Sequence, residues 1–368
     1  AHACLTASAY LVAVLLGRGL GPSAYGVYGI VYSVLLSIEL IGRLGVPQAV
    51  SKLIAEREDD ARSLEATGIT ITGGLYLSIF AGFWLLAPQL AQLFRVADGT
   101  SLFRLACWDI PFYGLFFICS HVLNGRRDFA AQSLGLIVYS ASRVVGISAL
   151  YLVGLSVAGA LLVNIFASVL GLGFVAWRVG PPSFRPTCSH FRSVVDLAVP
   201  IALFSLGAQA LLSMDLWMLN ALGASVSSEV KGMYVAALNL ARMPNVAAFV
   251  ASAVMIPSIA RACALDRTED AERHAGSGIR VLLVLLIPIC GLIVVQAAGI
   301  LEFVFSTAFV EGAAFLQVLT LAHGLLYTLF MACCGILIAV GGARQVALLS
   351  LASVPLAAVL AASMVGAH

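Results

Sequence analysis

The stretch Leu20-Gly21-Pro22-Ser23-Ala24-Tyr25-Gly26-Val27-Tyr28, followed by an apolar run, Pro47 and Ile54-Ala55-Glu56, is written twice in this chain. Its second copy reads Leu222-Gly223, Gly232-Met233-Tyr234, an apolar run, Pro257 and Ile259-Ala260-Arg261. A shorter echo pairs Val157-Ala158-Gly159-Ala160 with Met364-Val365-Gly366-Ala367. Self-similarity of this kind inside a very hydrophobic chain is the mark of a membrane transporter built from two related halves, with its site between them.

Composition identifies the solvent. Of 368 residues, 61% are hydrophobic and 10% charged, with a mean hydropathy of +1.03. A soluble domain carries about 25% charged residues. Lipid is therefore the expected environment, and a net charge of +2 gives no sign of a nucleic-acid partner. Eight cysteines show neither ligand nor disulfide spacing. Cys107, Cys119, Cys290, Cys333 and Cys334 sit in apolar runs, where a thiol behaves as a small hydrophobe.

A spanning helix needs about 20 predominantly apolar residues. Spans are expected at 3–20, 24–46, 66–94, 102–123, 129–153, 157–177, 193–222, 232–257, 277–304, 312–340 and 345–366, about eleven in all. The breaks fall at Gly21-Pro22-Ser23, Asn124 to Asp128, Pro181-Pro182 and Gly341-Gly342. Two charged stretches, 52–65 and 258–274, are expected to form short amphipathic helices on the membrane surface.

The repeat also sets the domain organisation. The second copy's opening helix starts near Arg192, whereas only nineteen residues precede Leu20. Gly159-Ala160 is followed by a further span, but Gly366-Ala367 only by His368. The expectation is two six-helix lobes, residues 1–180 and 181–368, with the first span truncated and the twelfth missing. An even number of spans per half makes the repeats parallel. With the N-terminus cytoplasmic, thirteen basic residues fall on cytoplasmic loops, Lys52, Arg126 and Arg127 among them, against Arg18, Arg95, Arg104 and Lys231 outside. That is a positive-inside distribution.

The run Leu16-Gly17-Arg18-Gly19 through Tyr28 resembles the opening signature of the polysaccharide-biosynthesis flippases of the multidrug/oligosaccharidyl-lipid/polysaccharide exporter superfamily. Pro200, Asp215, Leu222-Gly223, Gly232-Met233-Tyr234, Ala237, Pro257 and Gly341-Gly342-Ala343-Arg344 extend the likeness over the whole chain. The resemblance implies an all-α, V-shaped, two-lobed transporter that moves undecaprenyl-diphosphate-linked glycans across a bacterial or archaeal cytoplasmic membrane by alternating access. It implies a monomer among membrane lipids, working beside other polysaccharide-assembly membrane proteins. It requires no cofactor, leaving Na+ or H+ coupling open.

Charges inside spans are the informative residues, because a buried charge costs several kcal/mol unless it faces protein or water. Arg43 follows Glu39 by four residues, the favourable order for a helix ion pair, and is alternatively a phosphate ligand, a task suited to the guanidinium fork. Arg242, in Asn239-Leu240-Ala241-Arg242-Met243-Pro244-Asn245, has no acid within a turn and marks a polar cavity wall. Arg143 either lines that cavity or pairs with Asp109. Arg18 lies where the family carries a basic residue, and snorkelling to the interface explains it equally well.

Asp215 is the strongest acidic candidate: it either forms a salt bridge, with Arg242 as the nearest prospect, or serves ion or proton coupling. Asp109 and Glu39 repeat the argument more weakly. Pro200 and Pro244 are candidate hinges, since proline removes a backbone hydrogen bond. His121 and His323, single imidazoles on apolar faces, are assigned to packing in preference to proton relay, and Tyr25, Tyr28 and Tyr234 to the aromatic belt at the outer interface.

No catalytic constellation, phosphate loop or metal-ligand spacing is present in the sequence, so the chain is not expected to be an enzyme. Two alternatives stand beside the flippase. A cation-coupled multidrug antiporter of the same fold would need a more acidic cavity. A membrane-embedded glycan polymerase or ligase would need longer outer loops.

Overall fold

A computed structural model describes residues 2–56, 58–96, 98–181, 188–222, 226–246 and 267–342, together with single residues between 255 and 265 and between 345 and 355. The described chain is helical, as expected. Gly21 shapes its beginning. The first helix, α1 (His2–Leu44), contains one residue outside the helical region, Gly21 at φ 72°, ψ 170°, followed by Pro22. Glycine enters that region without a Cβ clash, and proline's fixed φ suits the restart of a helix. At about 1.5 Å per residue α1 would be about 64 Å long, twice the hydrocarbon thickness, so it serves as two spans joined at Gly21.

The first lobe continues with α2 (Val46–Glu56), α3 (Ala61–Leu93), α4 (Gly99–Cys107), α5 (Asp109–Gly125), α6 (Phe129–Val153) and α7 (Val157–Val179). The second consists of α8 (Cys188–Leu222), α9 (Ser228–Ala241), α10 (Thr268–Val295), α11 (Ala297–Val304), α12 (Ala313–Leu319), a π-helical segment (Thr320–Tyr327) and α13 (Thr328–Ala339). Seven described stretches are long and apolar enough to cross a membrane, with both halves of α1 counted together. The expected spans at 129–153 and 157–177 match α6 and α7. The expected span at 345–366, with the echo at 364–367, lies largely outside the described residues.

The first charged stretch does not form the separate surface helix expected of it, and the second lies partly outside the described residues. In α2, Val46, Ala49, Val50, Leu53 and Ile54 are buried, a helical i, i+3, i+4, i+7 stripe that begins six residues before the charges and packs on α3 and α5. The acids Glu58, Asp59 and Asp60 form a single 3₁₀ turn, and α3 starts at once. In the second half, Glu269 and Asp270 occupy the first turn of α10, where the helix dipole favours negative charge, and the helix runs on unbroken into the membrane.

Among the described residues, three helices begin with a side-chain cap. Asp128, Ser156 and Ser227 accept from the backbone N–H of Ala131, Gly159 and Val230 at 3.1, 3.1 and 3.3 Å. Asp128 also accepts from Arg178 at 3.0 Å. The backbone donor first, then Arg178, hold its carboxyl below the usual carboxylate range. Next to it Arg126 grips Glu65 in a two-pronged ion pair at 2.6 and 2.5 Å, tying α3 to the turn between α5 and α6.

Two large apolar cores result, beside two smaller clusters around Leu282 and Ile259. One lies inside the first lobe, between α2, α5, α6 and α7, and takes in Val194 and Ala198 of α8. The other joins the lobes: Tyr25, Tyr28 and Val31 of α1 share it with Met233, Val235 and Ala236 of α9 and with Phe305 and Phe309 beyond α11. The second half of α1 and the start of α9 approach closely because both present glycine. A Cβ on Gly26 would lie 2.5 Å from the Ser228 carbonyl oxygen, and one on Gly232 would overlap the Pro22 carbonyl oxygen.

Candidate functional site

Between the lobes lie two adjoining chambers of about 220 and 300 Å³. Both are walled by Ala9, Ala13, Tyr32 and Leu36 of α1, Arg143 of α6, Asn239 of α9 and Arg242 just beyond it. Glu39 and Tyr113 border the second chamber alone, away from the glycine seam. Each lobe therefore contributes one arginine to a common space.

The two arginines are held differently. Arg143 is 6% exposed. Its guanidinium carbon sits 5.5 Å from the Tyr32 ring centre and 5.8 Å from that of Tyr139, so aromatic faces stabilise the charge while Nε remains without a partner. Of the two alternatives for it, lining the cavity is what the structure shows. Asp109 is buried nearby, beside Ser168 and Glu39, within electrostatic reach of Arg143 but not in ion-pair contact with it.

Arg242 follows the last residue of α9, Ala241, and opens a turn that runs to Pro244. Proline has no N–H to continue the helix and disfavours helical backbone just before it. The break brings the arginine to the chamber wall, where its Nη2 donates to the Leu212 carbonyl and its Nε has no partner. Neither arginine makes an ion pair with a described carboxylate, and both line the common chamber.

Asp215 does not form the salt bridge to Arg242 considered from the sequence. Its Oδ2 accepts from the Tyr234 hydroxyl at 2.7 Å and lies 3.0 Å from Nε2 of His323. The packing role assigned to His323 thus gives way to an ion-pair geometry. Periodicity could not reveal it, because 108 residues separate the partners. His121 fits its packing assignment better, with Nδ1 3.0 Å from the Phe117 carbonyl oxygen.

Several expected site residues are placed elsewhere. Arg18 is exposed and lies off the chambers: its Nε donates to the Val304 carbonyl at 2.8 Å and its Nη2 to that of Phe303, crossing from one lobe to the other. Asn245 also lies off the chambers, its side-chain oxygen against the Thr328 hydroxyl. Asn239 is on the wall but donates to the Tyr25 hydroxyl at 2.9 Å. The side chains of Arg43 and Pro200 lie outside the described residues, so the Glu39–Arg43 pair is not described.

The belt assignment of Tyr25 and Tyr28 is overturned. They are 1% and 5% exposed, buried between the lobes. With Tyr32 they form a ladder of near-parallel rings with centres 6.5 and 5.3 Å apart. Their spacing of three and four residues on one helix was the available signal. Tyr32 and Tyr139, which flank Arg143, were missed as site residues, although the spacing of Tyr139 from Arg143 does indicate a shared helix face.

A profile of the family described as polysaccharide biosynthesis protein matches residues 3–263. No curated protein matches the chain. Among solved structures, an inward-facing multidrug resistance MATE family transporter of the MOP superfamily superposes with a TM-score of 0.79 at 16% identity, over 94% of this chain and 83% of that one. An outward-facing transporter of the same description gives 0.65 at 17%, over 95% and 82%. A MOP superfamily transporter from Pyrococcus furiosus, described as having a binding pocket of reversed polarity that suggests a different function, gives 0.67 at 16%, over 94% and 81%. These likenesses show the fold: a multi-pass membrane protein with the two-lobed transporter architecture. Since the profile covers most of its length, the chain belongs to the polysaccharide biosynthesis protein family.

Proposed function

We propose that this protein exports a lipid-linked oligosaccharide by flipping it across the cytoplasmic membrane, with the diphosphate held between Arg143 and Arg242. The observation that carries this reading is the pair of arginines, one from each lobe, facing a common chamber without a carboxylate partner. A diphosphate presents oxygens on two centres, and a guanidinium meets such oxygens with parallel hydrogen bonds. Engaging both lobes at once is what couples binding to a rocking motion. A cation antiporter is served poorly by a wall that presents two arginines.

The state observed here is read as inward-facing. The glycine seam and the Arg18 crossing close the end of the molecule that bears Gly21, and the Glu39 chamber lies towards the other end. The higher similarity to an inward-facing relative supports this.

The test is depletion of the protein in its host, with lipid-linked glycans quantified by leaflet-selective labelling and mass spectrometry. A completed lipid-diphosphate glycan accumulating on the cytoplasmic leaflet is expected. Unchanged leaflet distribution, with heightened sensitivity to cationic drugs, would instead assign an antiporter.

A further inference from the structure

Asp215, Tyr234 and His323 come from three elements remote in sequence, α8, α9 and the π-helical segment, and meet on one carboxylate oxygen. The imidazole side chain is 9% exposed and the carboxylate 25%. Thr328 donates to the His323 carbonyl at 3.1 Å, a contact spanning five residues that fits the wide π turn. The charged and titratable groups around the pair are few. Tyr234 comes from α9, Arg242 follows it, and Tyr327 lies on the π segment with its ring 6.2 Å from that of His323. Tyr10 of α1 lines the same chamber as Arg242.

The tautomer of His323 follows from its partner. A neutral imidazole beside a carboxylate must donate through Nε2–H, which leaves the lone pair on Nδ1. That Nδ1 is buried and has no hydrogen-bond partner, and neither has Oδ1 of Asp215. A hard cation takes several oxygen ligands, whereas this cluster offers one free carboxylate oxygen and a ring nitrogen. The free acceptor suits a proton.

We propose that His323 takes up a proton at Nδ1 and that this proton decides whether Arg242 is available to an anion in the chamber. With His323 neutral, the negative charge of Asp215 is left to Arg242, which is anchored on the Leu212 carbonyl one turn before Asp215 on the same helix, and an incoming diphosphate meets a pair of zero net charge. With His323 protonated, the imidazolium balances Asp215, and the charge of Arg242 faces the chamber uncompensated. In a water-poor interior such a change is felt strongly. By linkage the effect is reciprocal: the anion raises the proton affinity of His323, so proton and anion bind together rather than in exchange. Imidazole is the side chain suited to this, since its charge changes near neutral pH.

This inference rests on the reading that Arg242 holds the headgroup, and the experiment separates the two. Binding of farnesyl-diphosphoryl-N-acetylglucosamine, whose phosphates do not titrate near neutrality, is measured calorimetrically on the purified chain in detergent. Two buffers of different ionisation heat give the proton count. Wild type should take up about half a proton per ligand near pH 6.5, with affinity falling about tenfold between pH 5.5 and 8.

His323→Gln, whose amide still donates to Asp215, should bind with no proton uptake and a flat pH profile. Asp215→Asn should bind tightly and be independent of pH. Binding by wild type without proton uptake, or an undiminished pH slope in His323→Gln, would overturn the proton site while leaving the arginine clamp intact. No binding by wild type at either pH would overturn the clamp, and with it this inference.

Discussion

Gly26 and Gly232, the equivalent glycines of the two sequence repeats, pack directly against each other: a Cβ on Gly26 would stand 2.8 Å from the backbone nitrogen of Gly232. The repeat therefore meets its own copy across the lobe interface. Helices approach this closely where the contact residues are small, and in lipid that packing is the main source of association. The same geometry makes the seam a place where the two lobes part or close as units.

A side chain at this seam should hold the lobes apart. Gly232→Leu is expected to open the Gly21 end, abolish leaflet transfer, and raise the labelling of a cysteine at position 235 by a membrane-impermeant maleimide. Unchanged labelling with intact transport would mean that the seam opens freely already.

Loss of either chamber arginine should cost binding of the diphosphate headgroup. Charged hydrogen bonds contribute about 1.5–3 kcal/mol each, so Arg143→Ala and Arg242→Ala should each weaken binding by about tenfold to a hundredfold. Lysine at either position should restore part of it, because the charge returns without the planar fork. Titration calorimetry with a lipid diphosphate on detergent-purified variants measures this.

The Glu65–Arg126 pair should matter to stability more than to transport. Glu65 is 7% exposed, and removing its partner leaves that carboxylate without compensation. Arg126→Ala is expected to lower unfolding stability by about 1–3 kcal/mol, whereas Glu65→Gln/Arg126→Gln together should cost less, since no buried charge is then stranded. Thermal unfolding of the three variants in the same detergent distinguishes the cases.

Asp128 supplies a pH signature. Its folded pKa is lowered, first by the Ala131 N–H and then by Arg178. A lowered carboxylate pKa contributes stability that is present above the unfolded value and lost as pH falls through the folded one. Asp128→Asn keeps a capping oxygen but removes the charge. Its thermal midpoint should fall below wild type at pH 7, and the gap should narrow as pH falls below the ordinary aspartate value of about 4. A constant difference down to pH 3 would remove the electrostatic part of this account.

Much of the fold was legible because its signals are local. The hydropathy of α6 and α7 can be counted, and the motifs at 20–28 and 222–234 can be laid over each other, so span positions and a two-fold lobed plan follow from the chain alone. The same holds for Arg143 and Arg242, whose lack of a neighbouring acid is a property of one helix. What could not be read was every relation between helices. Arg18 carries the same charge wherever it lies, and only the approach of Val304 makes it a crossing between lobes.

Tyr25 and Tyr28 illustrate why. A tyrosine near a span end suits an interfacial belt as well as a buried seam, since its ring is apolar and its hydroxyl polar. What decides between them is the position of α9, two hundred residues away in the chain. Likewise the sequence by itself determined that Asp215 and His323 lie in apolar segments and need partners. The tertiary structure decided that each is the other's partner, because electrostatic pairing depends on distance in space, which helical periodicity does not encode beyond a single helix.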